Sequence, residues 1–253
     1  MTTPRNAPID ERADAPPDQP TDGPRKTMTM ARIADDACGA RLWDEMRSSW
    51  AIALFARAPS VPLTWICARA GLAPMQVTGL GFALALSLPL YAALLPLTLA
   101  VWAVALGGWL FQVLDCVDGT LARLGRQTSK RGADADFLVD MTQWGLLYLS
   151  IGLLADRTLD SGLFWTTVAC AAAWGRLLAR VIRDRLATPT PVISTPAPLR
   201  LMEYPAAILA GISGLIAFFA LLGPWIGVGV AFLALYSLLD IIEAALPLAS
   251  EPQ

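Results

Sequence analysis

Six stretches of about 20 apolar residues follow one another along the chain, each long enough to cross the hydrocarbon of a bilayer as a helix. They run roughly over 75–95, 98–121, 134–156, 161–184, 203–223 and 225–247. Backbone inside a membrane must satisfy its own hydrogen bonds, and segments of this length do so as α-helices. Pro96 parts the first stretch from the second, and Gly223-Pro224 parts the fifth from the sixth. Only 16% of the 253 residues are charged, against about 25% in an ordinary soluble domain. The expected fold is an all-α integral membrane protein with six transmembrane helices.

Charge at the ends of these stretches orients them. Arg123, Arg126, Lys130 and Arg131 follow the second stretch, and the region from the end of the fourth to the start of the fifth carries Arg176, Arg180, Arg183, Arg185 and Arg200. The positive-inside rule puts both groups on the cytoplasmic side. An even number of crossings then puts both termini there too, and the inner (cytoplasmic) membrane is the expected location. Residues 1–36 are rich in proline and polar groups, so they are expected to form a disordered cytoplasmic tail. Residues 37–72 are expected to be an amphipathic juxtamembrane segment, with Leu42, Trp43, Met46, Trp50, Ala53 and Leu54 on one face. Arg41, Asp44, Glu45, Arg47 and Ser48 occupy the other face, as in a helix lying on a membrane surface. Residues 73–248 are expected to form one six-helix transmembrane domain.

Composition narrows the chemistry. The chain has no histidine, which removes the commonest general base and the commonest nitrogen ligand for metals. Cys38, Cys67, Cys116 and Cys170 are widely spaced and form no CxxC pair, so they read as small apolar fillers. A net charge of −2 gives no reason to expect nucleic acid as a partner. Proton transfer and metal binding are left mainly to carboxylates.

Those carboxylates cluster in Leu114–Asp140, at the cytoplasmic end of the second span and the start of the third. Asp115 and Asp118 are three apart, and Gly119, Ala122 and Arg123 continue the same side of a helix. Asp136 and Asp140 are four apart, one helical turn, on the next span. A hairpin of the two spans brings all four carboxylates to one place. Charge at such depth is expensive without partners, and all-oxygen ligands suit Mg²⁺ or Mn²⁺. Two such ions can clamp a diphosphate. Gly119 and Ala122 leave room for a ligand beside the helix, Arg123 can donate to phosphate oxygens, and one carboxylate can accept a proton from a hydroxyl.

The order Asp115-x2-Asp118-Gly119-x2-Ala122-Arg123-x8-Gly132-x3-Asp136-x3-Asp140 resembles the signature of CDP-alcohol phosphotransferases at every position and spacing. The resemblance covers residues 40–247 in layout and 115–140 in specific residues. It implies a six-helix, usually homodimeric membrane enzyme that needs two divalent ions, Mg²⁺ or Mn²⁺. Such an enzyme displaces CMP from a CDP-linked lipid donor, often CDP-diacylglycerol, with an alcohol acceptor, in phospholipid synthesis. Carried over by position, Asp115, Asp118 and Asp136 bind metal, and Asp140 touches one metal and acts as general base. Gly119, Ala122 and Arg123 line the CDP site, and Gly132 lets the third helix pack closely. Many relatives have Pro-Asn where this chain has Pro74-Met75; Thr78, one turn on, is the expected contact to the nucleotide. Arg180, Arg183 and Arg200 sit where relatives with phosphorylated acceptors carry basic residues. They are expected either to bind an acceptor phosphate or to anchor to lipid headgroups.

Two other functions compete. Intramembrane carboxylates also mark ion and proton paths in transporters, although the interrupted spans and paired repeats of transporters are not evident here. The run Asp115-Cys-Val-Asp118-Gly-Thr faintly resembles the Asp-x-Asp-Gly-Thr motif of haloacid-dehalogenase-like phosphatases, but its aspartates are three apart rather than two.

Overall fold

A computed structural model of the chain describes residues 28–39, 42, 46, 49–186 and 211–250. The described secondary structure is helical throughout. The helices are α1 (Met30–Cys38), α2 (Trp50–Phe55), α3 (Arg57–Arg69), α4 (Pro74–Leu94), α5 (Leu97–Leu124), α6 (Lys130–Leu159), α7 (Phe164–Leu186), a 3₁₀ helix (Ile212–Trp225) and α8 (Ile226–Ser250).

Among the described residues, four helical runs are long and apolar enough to cross a membrane: Pro74–Leu94, Leu97–Leu124, Lys130–Leu159 and Ile212–Leu246. The chain therefore has the character of a membrane-spanning helical bundle, but six spans are not reproduced. The difference has identifiable causes. The fourth expected span coincides with α7, whose C-terminal half carries Arg176, Arg180, Arg183 and Asp184. The first part of the fifth expected span, 203–210, lies outside the described residues. The last run is bent at Gly223, whose φ of 55° and ψ of −125° are not helical, where the Gly223-Pro224 break is expected.

The N-terminal region also departs from expectation. Residues 1–27 and most of 40–48 lie outside the described residues, and with them much of the expected amphipathic helix. Helical structure already begins at Met30, inside the segment expected to be tail. The Thr29 hydroxyl caps α1 by accepting the Arg32 N–H at 3.3 Å. Met28 and Ile33 are buried against Cys67, Val77, Val117 and Leu121, so α1 docks on α3, α4 and α5.

Local signals explain the joints that position the site. Helix α3 ends in a Schellman motif with Gly71 left-handed at φ 73°; the Leu72 N–H reaches the Cys67 carbonyl and the Gly71 N–H the Ala68 carbonyl. Pro74 then opens α4, where its missing N–H does no harm, and Gln76 Oε1 accepts the Ala73 N–H at 2.8 Å. Helix α5 ends in the same motif, with the Gln127 N–H on the Ala122 carbonyl and Arg126 left-handed at φ 52°. Ser129 caps α6 by accepting the Gly132 N–H at 3.0 Å. The reversal between α5 and α6 thus takes only residues 125–129.

Helix α4 packs against both α5 and α6, α7 against α6 and α8, and the 3₁₀ helix against α5. Glycines allow the closest approaches. A Cβ on Gly108 would fall 2.7 Å from Ala217 Cβ, and one on Gly152 would fall 2.8 Å from the Thr166 backbone, the small-residue packing that membrane helices use. At the far end of the bundle, buried Asp156 accepts the Trp165 and Thr166 N–H groups at 2.9 and 2.8 Å, capping the start of α7. Arg157 donates to the Ala92 and Leu95 carbonyls at the end of α4.

Candidate functional site

The short turn after α5 sets the last three turns of that helix beside the first three turns of α6. Asp115, Asp118 and Asp136 consequently converge, each offering a carboxylate oxygen within 4.8 Å of the others. Asp118 is buried, while Asp115 and Asp136 are partly exposed. Three carboxylates held this close repel one another, and a hard divalent cation coordinated by oxygen is the partner that fits such a donor set. The cluster can therefore hold a divalent metal ion. Asp140 stands outside this group of three but borders the same region.

Two cavities meet the cluster from different sides. The smaller, about 390 Å³, is bordered by Asp118 and Asp136 together with Thr78, Gly119, Ala122 and Arg123. Those last four are the residues expected to contact a CDP group, and they come together. The larger, about 670 Å³, is bordered by Asp115 and Asp140, with Arg180 and Arg183 at its edge. A third, small cavity touches Asp115, Asp118 and Asp136. The carboxylates of the motif thus divide between two spaces of ligand size.

Side chains on the smaller cavity are held in place. The Thr78 hydroxyl donates to Asp118 Oδ2 at 2.6 Å, linking α4 to α5. Arg123 donates through Nε and Nη2 to Asp36 Oδ2 at 3.2 and 2.8 Å. Its Nη2 also reaches the Thr120 hydroxyl at 3.1 Å. With those edges engaged, Arg123 Nη1 lies over Gly119, 3.0 Å from where a Cβ on that residue would sit. Gly132 borders the cavity as well. A Cβ there would meet the Ser129 hydroxyl at 3.1 Å, with no other contact within 4 Å. The close helix packing expected of Gly132 is therefore absent among the described residues, and its small size keeps the cavity open instead.

The arginines expected at an acceptor site fare differently. Arg183 Nη2 is paired with Asp240 at 2.5 Å and Glu243 at 3.2 Å, which gives those two late acidic residues of α8 a partner. Arg180 forms an exposed i,i+4 pair with Asp184 at 3.4 Å and lies over the Phe137 ring. Arg200 lies outside the described residues.

Several residues in or beside the two cavities were not anticipated as site residues. Asp36, which lines neither cavity but holds Arg123, falls in the segment expected to be tail. Gln112 and Gln143 border the larger cavity and are 8% and 3% exposed. Arg176 borders it too, its guanidinium 4.5 Å from the Trp144 ring centre and 4.7 Å from that of Tyr236. A signal for the glutamines is present in the sequence. Gln112 precedes Asp115 by three residues and Gln143 follows Asp140 by three, so each extends a carboxylate face one turn deeper into an apolar span. Arg176 and Tyr236 lie on other helices, and only tertiary packing brings them here. All four cysteines are free thiols.

Among known families, the model for CDP-alcohol phosphatidyltransferases matches residues 71–236. No curated protein matches the chain at a significant level.

Proposed function

The chain belongs to the CDP-alcohol phosphatidyltransferase family, and from that premise we propose that it transfers a phosphatidyl (or other phospho-alcohol) group from a CDP-linked donor to an alcohol, releasing CMP. CDP-diacylglycerol is the donor we favour. The observation that carries this reading is the division of the aspartate motif between two cavities, Asp118 and Asp136 on one and Asp115 and Asp140 on the other. A transferase needs that arrangement: two substrates reach one reacting centre from different sides.

In this reading the CDP group occupies the smaller cavity. Gly119 and Ala122 leave it space against α5, and Thr78 and Arg123 line its walls. Arg123 donates to diphosphate oxygens and stabilises the charge left on CMP. Asp115, Asp118 and Asp136 hold the divalent ions, two of Mg²⁺ or Mn²⁺, with Asp140 at the edge of that set. When bound, the ions supply positive charge that neutralises the diphosphate and the departing phosphate.

The acceptor enters the larger cavity. Asp140 accepts the proton of its hydroxyl, and the oxygen attacks the β-phosphorus, the one bonded to the donor alcohol. The new P–O bond forms as the bond from that phosphorus to the bridging oxygen breaks, and CMP carries the bonding electrons away. The basic residues around the α5–α6 turn support a cytoplasmic position for this centre. Six crossings, with α7 as one of them and a break at Gly223, and assembly as a homodimer complete the proposal.

The experiment is transfer of a labelled acceptor into an organic-extractable product by purified protein in detergent, with Asp136→Asn in parallel. Metal-dependent incorporation that disappears in the variant supports the reading. Equal incorporation by the variant contradicts the role given to the cluster.

A further inference from the structure

We propose that helix α1, which precedes the part of the chain matched by the family model, belongs to the donor site, with Asp36 as the positioning residue that sets which edge of Arg123 meets the diphosphate. This inference rests on the transferase reading and concerns how the wall of the smaller cavity is held.

Two kinds of contact tie α1 to the end of α5. Met28, Ile33 and Ala37 are buried, and the Met28 methyl lies 3.5 Å from where a Cβ on Gly125 would sit, at the turn that closes α5. These apolar contacts seat the helix. The Asp36 carboxylate makes the other kind. Its Oδ2 accepts the Arg123 Nε and Nη2 groups at 3.2 and 2.8 Å, and its Oδ1 accepts Nε at 3.4 Å. The two side chains keep 26% and 20% of their surface open, and ion pairs open to water contribute little to stability. Apolar burial therefore does the seating, and the ion pair acts on the geometry of Arg123.

A guanidinium is flat and points five N–H donors in fixed directions. Asp36 takes the Nε–Nη2 edge, and the Thr120 hydroxyl also accepts Nη2 at 3.1 Å. Nη1 has no hydrogen-bond partner among the described residues. It lies over Gly119 on the wall of the smaller cavity, 3.0 Å from where a Cβ on that residue would sit. The two Nη1 donors are thus aimed before a diphosphate arrives. Ordering a long side chain at the moment of binding costs affinity, and Asp36 does that ordering in advance. Its negative charge opposes the diphosphate, but it sits on the far edge of the guanidinium and is partly screened by water. Orientation outweighs repulsion.

The test uses the full chain in detergent with saturating Mg²⁺ or Mn²⁺ and compares the parent, Asp36→Asn, Arg123→Ala and the double variant. Binding of labelled CDP is measured by equilibrium dialysis, and donor KM, acceptor KM and kcat by CMP release from CDP-diacylglycerol. Asp36→Asn keeps the size of the side chain and should weaken CDP binding and raise the donor KM by about two- to fivefold. The acceptor KM should stay within about twofold. In the Arg123→Ala background the same substitution should change neither donor quantity, because nothing is left to orient; a merely loosened α1 would add its loss there. Tighter CDP binding by Asp36→Asn, unaltered CDP binding and donor KM, or an equal loss with and without Arg123 each overturns the inference and leaves the transferase reading standing. If the parent releases no CMP from any CDP-linked donor with any acceptor, the transferase reading fails and the inference falls with it.

Discussion

The Thr78 hydroxyl donates a 2.6 Å hydrogen bond to Asp118 Oδ2, so a side chain of α4 orients a carboxylate of α5. Groups that orient a metal ligand typically change metal affinity 10- to 100-fold when removed. Thr78→Val keeps the shape and loses the donor, and it should raise the Mg²⁺ or Mn²⁺ concentration for half-activation by about tenfold. Thr78→Ser should stay near the parent. A metal-activation curve for the three proteins decides the point.

Asp136 and Asp140 are one turn apart on α6 but border different cavities, so their loss should be felt differently. Asp140→Asn should lower kcat by roughly 10²–10⁴-fold, the usual share of a general base, with the donor KM little changed. Asp136→Asn should weaken metal activation and donor binding as well. Steady-state kinetics with donor and metal varied separately would show the split. An Asp140→Asn enzyme with a near-normal rate would mean the proton goes elsewhere.

Arg123 is held by Asp36 from α1 and lies over Gly119. Gly119→Ala puts a methyl 3.0 Å from Arg123 Nη1, so the guanidinium has to shift and the donor KM should rise several-fold. Asp36→Asn leaves the cavity wall intact but frees the guanidinium to wander. Partly exposed pairs of this kind are worth at most about 1 kcal/mol, so a rise of about fivefold or less is expected. Unaltered donor KM in both variants would show that Arg123 does not meet the donor.

Glycines in the bundle make a stability prediction with its own control. On Gly152 a Cβ would fall 2.8 Å from Thr166 Cα and 3.0 Å from the Trp165 carbonyl oxygen, and backbone cannot swing aside. Gly152→Ala should therefore cost about 1–3 kcal/mol through overpacking. On Gly145, in the same helix, a Cβ meets nothing within 4 Å. Gly145→Ala should be neutral or stabilising by up to about 1 kcal/mol. Thermal unfolding in detergent, followed by size-exclusion chromatography, ranks the two.

The α5–α6 hairpin was legible in the sequence because its information is local. Spacings of three and four residues fix which side chains share a helix face, and the break between the spans is only a few residues long. Thr78 was pointed to by the family resemblance, and it lies one turn beyond the proline that opens α4. The other wall of the larger cavity was not legible. Arg176, Tyr236 and Asp240 come from helices far apart in the chain, and nothing in their spacing says that they meet. The arginines of α7 illustrate the ambiguity: as a cluster they suggested anion binding, yet Arg183 is engaged by Asp240 and Glu243. Asp36 was hidden differently, because a short helix beside a proline-rich segment carries too little apolar surface to stand out until its partners on α3, α4 and α5 are seen.

The most direct test of the central claim is CMP release from CDP-diacylglycerol by the purified protein, with a panel of acceptor alcohols, before and after removal of divalent ions by a chelator. The account predicts release that requires an acceptor, stops on chelation and returns when Mg²⁺ or Mn²⁺ is restored. Release unaffected by chelation would contradict the role given to Asp115, Asp118 and Asp136. If neither CDP-diacylglycerol nor a soluble CDP-alcohol yields CMP with any acceptor, the carboxylates serve another purpose, and ion or proton transport becomes the reading to pursue.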